Sequence, residues 1–249
     1  VADVKKAELK KLNITQNEIA FNGKFNLNFT GDNIDNFLGH ANITEATLTR
    51  DGNPLPFDSL IISSEYSNGI KTLRARSNEF EGTITGNFAI RQLPDAFTLF
   101  LNKYYPAYVN APKNIPENES FSFDITTQLV DEYIKLADSS LSGFNNSHIY
   151  GSLNTSSNEM TLNAEVPHFQ FENYNFDDVK IAGRGTRDSL ALSGNVSDVN
   201  ISDSISIPKA VFHINARNDS SRVTITSSTN QAINNANLNA LVLTYNNGA

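Results

Sequence analysis

FNGKFNLNF, residues Phe21–Phe29, alternates without a break. Phe21, Gly23, Phe25, Leu27 and Phe29 fall on one side of an extended chain, and Asn22, Lys24, Asn26 and Asn28 on the other. A period of two marks a half-buried strand, because successive side chains of an extended chain point to opposite faces. One face here is apolar and aromatic, and the other is wet. The same pattern returns at FSFDIT (Phe121, Phe123, Ile125) and at FEGTITGNFAI (Phe80, Ile84, Phe88 and Ile90, with Gly82 and Gly86 on the same side). It recurs at IYGSLN (Ile149, Leu153), MTLNAEV (Met160, Leu162, Val166), LALSGNV (Leu190, Leu192, Val196) and RVTITSS (Val223, Ile225). Clusters such as SNG, DGN, SSN, TRDS and NDSS separate these runs and supply the Gly, Asn and Asp that tight turns require. The chain reads as a meander of antiparallel hairpins with one polar face.

Three stretches repeat the unit loosely: FDSLIISSEYSNGIKTLRARS from Phe57, FDDVKIAGRGTRDSLALSG from Phe176 and PKAVFHINARNDSSRVTITSS from Pro208. Each is a strand, a polar turn and a second strand, the signature of an array whose units bury their faces against their neighbours. Gly82, Gly86, Gly183 and Gly185 sit inside strand patterns, where glycine permits a bend or close approach of a bulky group. They suggest a sheet that curls along its length.

LPDAFTLFLNKYYPAYV, Leu93–Val109, breaks the alternation. Leu93, Phe97, Phe100, Leu101, Tyr104 and Tyr108 recur three or four apart, which is helical spacing, with Pro94 at the start and Pro106 and Pro112 near the end. A second, shorter helix is expected in QLVDEYIKLAD, with Leu129, Tyr133 and Leu136 as its stripe. DNIDNFLG reads as a helical turn with Asp32 as N-cap and Gly39 as stop.

Composition narrows the class. Hydrophobic residues make up 39% of the 249, below the ~45–50% of ordinary globular domains. Asn, Ser and Thr supply most of the polar excess, about three residues in ten where roughly two are usual. Regular alternation in so polar a chain points to an elongated, surface-rich fold in one domain spanning 1–249 rather than to disorder. The net charge of −8 and a pI near 5.0 argue against nucleic acid and against a basic membrane-surface patch. Lys5, Lys6, Lys10 and Lys11 form a small cluster, read as a solvated face. With no Cys, disulfides and thiolate chemistry are excluded. No apolar run is long enough to span a membrane, and no signal peptide is visible. The chain begins at Val1 and reads as an excised piece or a mature product.

Motifs of chemistry are sparse. His40, His148, His168 and His213 have no metal-ligand spacing. There is no GxSxG elbow, and the Gly-containing turns SGFNNS and GRGTRD lack the ending of a phosphate loop. DGNPLPFD (Asp51, Asn53, Asp58) lacks EF-hand spacing. Asp177–Asp178 and Glu117/Glu119 are paired acids of the kind glycosidases use, but nothing in the sequence sets them in a cleft. Asn-x-Ser/Thr triplets, such as those at Asn13, Asn28, Asn42, Asn118, Asn195, Asn200 and Asn218, follow from the abundance of Asn. The reading is a non-enzymatic protein with no cofactor and no metal.

The order FNGKFNLNFTGDNIDNFLGHANITEATLTRDGNPLPFDSLIISSEY, NEFEGTITGNFAIRQLPDAFTLFLNKYYPAYV, NNSHIYGSLNTSSNEMTLNAEVPHF and YNFDDVKIAGRGTRDSLALSGNV resembles TamB-like (translocation and assembly module) proteins of the AsmA-like superfamily. The resemblance runs roughly from Phe21 to Tyr245 and rests on diffuse repeats rather than on a catalytic signature. It implies a long, taco-shaped β-sheet with an apolar inner groove. It further implies a periplasmic location, an inner-membrane anchor elsewhere in the parent protein, phospholipid as cargo and an outer-membrane β-barrel insertase as partner. The family's N-terminal anchor and barrel-contacting C-terminal domain are not seen, so the chain looks like an internal segment.

The expected inner face comprises Phe21, Phe25, Leu27, Phe29, Leu60, Ile62, Ile84, Phe88, Ile90, Leu153, Leu162, Leu190, Leu192, Val223 and Ile225. Phe97, Phe100, Leu101 and Tyr104 are the helix positions expected to face it. The competing expectation is a structural or adhesive surface protein, in which the same hairpins close an ordinary core.

Overall fold

The computed structural model describes residues 1–8, 10–11, 18–33, 35–50, 52–202, 205–228 and 235–245; Asn13 and Asp51 of the motifs above lie outside them. Strand accounts for 66% of the chain and helix for 9%, which makes the protein mainly β. The strands are β1 (Ala2–Glu8), β2 (Ile19–Thr30), β3 (Leu38–Arg50), β4 (Asn53–Ser67), β5 (Ile70–Ser77), β6 (Phe80–Asn87), β7 (Ser120–Thr127), β8 (Leu141–Gly143), β9 (His148–Asn154), β10 (Glu159–Phe171), β11 (Tyr174–Gly185), β12 (Leu190–Ser202), β13 (Ile205–Arg217), β14 (Ser220–Ser228) and β15 (Asn235–Leu243). All belong to one antiparallel sheet in sequence order. The exception is β8, which lies along the same edge of β10 as β9. The sheet does not close, and among the described residues β1 and β15 are its outermost strands.

The three repeats are the hairpins β4–β5, β11–β12 and β13–β14. Two of them turn on consecutive left-handed residues, Asn68–Gly69 (φ 52° and 80°) and Asn218–Asp219 (φ 46° and 58°). That geometry matches the twist of the flanking strands and favours Asn, Asp and Gly.

Two helices interrupt the meander. A single 3-10 turn, Ile90–Gln92, leads into α1, Leu93–Tyr104. The expected helix to Val109 stops at Tyr104, because Tyr105 precedes Pro106 and is driven out of the helical region (φ −130°, ψ 54°). Strand β6 likewise ends at Asn87, so Phe88 and Ile90 lie outside the sheet, and Phe88 packs beneath α1. The stripe of α1 that meets the sheet is Ala96, Phe100 and Tyr104, spaced by four and almost fully buried. Ala96 is 0% exposed, and its small side chain allows the helix backbone close approach. Leu101, expected on this stripe, is 42% exposed instead. Ala96, Phe100 and Tyr104 with Phe88, Phe121, Phe123, Leu153 and Ala216 form the larger core cluster.

α2, Asp131–Ala137, lies beside β8, and one side chain that follows it caps its first turn. Asn145 Oδ1 accepts from Val130 N (2.7 Å) and Asp131 N (3.1 Å), and Asp131 Oδ1 accepts from Gly143 N (2.6 Å). Tyr133 donates to the Pro56 carbonyl at 3.2 Å and Arg50 to the Leu136 carbonyl, so α2 also touches β3 and β4. Burial, with the neighbouring charges of Glu79 and Asp58, pushes the Tyr133 hydroxyl up to about 12. Leu129, expected on the α2 stripe, precedes the helix and is exposed.

The expected helical turn at Asp32–Gly39 is absent among the described residues. Asn36 Oδ1 accepts from Asp32 N (3.1 Å) and Asn33 N (3.0 Å), a side-chain-closed turn of the kind Asn favours over helix. Gly39 instead pairs with Phe29 inside the sheet, where a Cβ would overlap the Asn28 carbonyl.

Simple alternation also fails along one line of the sheet. The second core cluster gathers Val166 and Phe169, Phe176 and Val179, Val196 and Val199, and Ile207 and Ala210. Each pair is three apart rather than two. Asp178 and Lys209, both left-handed at φ 48°, sit within two of these intervals, and Pro167 within a third. The extra residue flips the side-chain phase while the partner register is kept. Phe169 stacks on Phe176 as a result, with centroids 4.6 Å apart.

Candidate functional site: the apolar face

The pairing registers can be followed across the sheet from strand to strand. Starting at Leu27, the partners are Ala41, Ile62, Ala75, Gly82, Ile125, Ile149, Ala164, Ile181, Gly194, Phe212, Ile225 and Leu238. No polar or charged side chain interrupts this row from β2 to β15. The adjacent row on the same face runs Phe29, Gly39, Ser64, Leu73, Ile84, Phe123, Gly151, Leu162, Gly183, Leu192, Ile214, Val223 and Ala240, with Ser64 its one polar member.

The opposite face differs completely. Its matching row is Asn28, His40, Ser63, Arg74, Thr83, Asp124, Tyr150, Asn163, Ala182, Ser193, His213, Thr224 and Asn239. His148 pairs with Asp124 here (3.1 Å), and His168 with Asp177 (2.7 Å) at the phase change; both imidazoles are solvent-accessible. The lysine cluster is tied in ion pairs, Lys5 to Asp3 at 2.7 Å, Lys6 and Lys11 to Glu8, and Lys10 to Glu18. Among the described residues no group of three His, Asp or Glu side chains could hold a metal ion.

The expected inner-face residues divide among these rows. Leu27, Ile62 and Ile225 stand in the first row, and Phe29, Ile84, Leu162, Leu192 and Val223 in the second. Phe25 and Leu60 both oppose Ile43 on a third line. Leu153 and Leu190 lie on a fourth, beneath α1. Phe21 pairs with Leu48, and its ring meets that of Phe25 edge-on at 5.5 Å. Phe88 and Ile90 belong to the packing under α1 and not to a row. The expected inner face left out ten first-row members: Ile125, Ile149 and Gly82, which the alternation sets on apolar sides, the large Ile181, Phe212 and Leu238, and the small Ala41, Ala75, Ala164 and Gly194. The four small ones give little hydrophobic signal, yet they complete the first row.

α1 lies on this face and is tied down at both ends. Phe97 meets Phe121 and Phe123 of β7, each with centroids 5.9 Å away. Phe100 and Tyr104 pack over Gly185 of β11, where a Cβ would lie 2.6 Å from Phe100 Cε2. Tyr104 donates to the Thr186 carbonyl. Beyond the helix, Tyr105 and Ser221 share a hydroxyl hydrogen bond (2.9 Å), and the Asp219 carboxylate accepts from Ala107 N (2.9 Å).

At the other end, buried Glu119 accepts from Ala89 N (2.9 Å), and Arg91 pairs with Asp35 (2.6 Å). Buried Lys71 donates to the Asp35 carbonyl (2.6 Å) beside the Phe88 ring. Burial raises the Glu119 pKa, against the hydrogen bond from Ala89. The folded chain therefore holds this proton more tightly than the unfolded one. The associated stability is present at low pH and is lost as pH rises from the ordinary Glu value, about 4.3, through the raised one. Glu119→Gln keeps an acceptor for Ala89 and removes the titration. As pH rises through that window the variant should lose less stability, or gain more, than wild type in urea melts, and identical pH dependence would refute this assignment.

Among the described residues no helix is long and apolar enough to cross a membrane. No family model, no curated protein and no solved structure matches the chain.

Proposed function

We propose that this chain is a non-enzymatic lipid-conduit segment whose apolar face receives phospholipid acyl chains. The carrying observation is the uninterrupted apolar row from Leu27 to Leu238, perpendicular to the strands and backed by a polar face. Such a row offers a level surface. Each methylene removed from water gains about 0.8 kcal/mol wherever it sits, so an acyl chain slides along the row without a high barrier.

We infer that the sheet curls about this row as a groove. Phe97 and Tyr105 are eight residues apart, about 12 Å of helix, yet they touch β7 and β14. Six ladder steps separate those strands, about 29 Å in a flat sheet. The contacts of α2 with both β8 and the β3–β4 hairpin ask for the same curvature. α1 then braces one side of the groove and α2 the other, with the first row between them.

The resemblance to TamB-like proteins extends this reading. It would place the chain in the periplasm as part of a longer protein, carrying phospholipid toward the outer membrane, with a barrel insertase engaged through other parts of the parent. A closed-core structural protein is the second reading, and the near-complete burial of Phe100 and Tyr104 between α1 and the sheet favours it. Native mass spectrometry with lipid extraction, on protein purified from cells, separates the two. The conduit reading expects phospholipid masses to co-purify, whereas lipid-free, monodisperse protein would favour the closed core.

A further inference from the structure

The arginines of this chain fall into two groups. Arg50 donates to the Leu136 carbonyl, and Arg74, Arg76 and Arg91 pair with Glu65, Glu81 and Asp35. Arg184, Arg187, Arg217 and Arg222 make no ion pair or side-chain hydrogen bond among the described residues. Arg184 and Arg222 share a row of the polar face, which runs Thr161, Arg184, Ala191, Asn215, Arg222 and Leu241 from β10 to β15. The row beside it is Asn163, Ala182, Ser193, His213, Thr224 and Asn239. Neither row holds a carboxylate, although the chain carries a net charge of −8.

Between the two rows opens a trough of about 380 Å³, lined by Ala182, Arg184, Ala191, Ser193, His213 and Asn215. Its floor is low because Ala182, Ala191 and Ser193 are short beside longer neighbours. Strands are paired on both sides of Arg184, Ser193 and His213, so the trough lies inside the sheet and away from its outermost strands. The side chains of Arg184, His213 and Asn215 make no hydrogen bond among the described residues, which leaves their donors turned to solvent.

We propose that this trough binds a small phosphate monoester free in solution. A tetrahedral oxyanion accepts from several directions at once, and a guanidinium fork matches two of its oxygens. The hydroxyl and amide donors of Ser193 and Asn215 suit the remaining oxygens and the polar body of the ester. Charge selects the source. Elsewhere this face carries Asp124, Glu165 and Asp177. An anionic bilayer or an acidic chain laid across the sheet meets those carboxylates, whereas a small anion within the two rows avoids them. The site does not rest on the lipid reading, which concerns the opposite face, and stands if that reading fails.

Titration calorimetry with glycerol 3-phosphate should show one saturable site on the wild-type chain. Arg184→Gln removes the guanidinium that bounds the trough and should weaken binding by about tenfold or more. Ala191→Asp raises a carboxylate from the floor and should abolish it. Both residues are exposed, so circular dichroism should show both variants folded. Arg187→Gln removes an equal charge in the turn between β11 and β12, outside the trough, and should leave the affinity within about twofold. Equal weakening by Arg187→Gln would mean diffuse attraction and would overturn the site. No binding by wild type would overturn it as well. So would phosphatidylglycerol vesicles or hexaglutamate bound more tightly than glycerol 3-phosphate and lost in Arg184→Gln.

Discussion

Phe100→Ala should lower the unfolding free energy by about 3–5 kcal/mol, the cost of emptying a large buried aromatic site. Phe100 is 4% exposed, meets Tyr104 edge-on at 5.0 Å and fills the space above Gly185. The converse change, Gly185→Ala, overfills the same contact and should cost about 1–3 kcal/mol. The two are coupled by shape. With the Phe100 ring gone, a methyl group at position 185 has room, so the double variant should be more stable than the sum of the single losses allows. Urea titrations of the four proteins give the coupling directly, and additive losses would mean that α1 does not seat on Gly185. Gly82→Ala is the control, since a Cβ there meets only Ile125 Cγ1 at 3.8 Å.

Much of the fold is legible because alternation is a local property. FNGKFNLNF and FSFDIT announce their faces, and both are strands. The aromatic helix is legible from its three-and-four spacing, and Pro106 already hints at its early end. Three features are not local, and the sequence hides them. The first row depends on register, which pairs Gly82 with Ile125 and Gly194 with Ile181 and so carries the line on from strand to strand. The phase change near Asp178 and Lys209 depends on single left-handed residues that no hydropathy period reports. The choice between Ala96 and Leu101 as the seated position depends on which side of α1 the sheet approaches, and Phe88 and Ile90 continue the alternation of β6 after the strand has stopped. Sequence pattern therefore finds the apolar face, and pairing shows which residues make it continuous.

That continuity predicts the second large effect. Ile225 stands in the first row between Phe212 and Leu238 and belongs to neither buried cluster, so it is a place to break the row while sparing the core. Ile225→Asp puts a carboxylate where an acyl chain would lie, and desolvating it opposes binding. Thr226→Asp adds the same charge one residue along β14, on the exposed polar face. The most direct measurement is titration of wild type and both variants with a fluorescent polyene fatty acid, with unfolding curves confirming that each protein is folded. The account predicts saturable binding by wild type and by Thr226→Asp, and at least tenfold weaker binding by Ile225→Asp. Equal binding by all three folded proteins, or none by wild type, would contradict the claim that this face carries lipid.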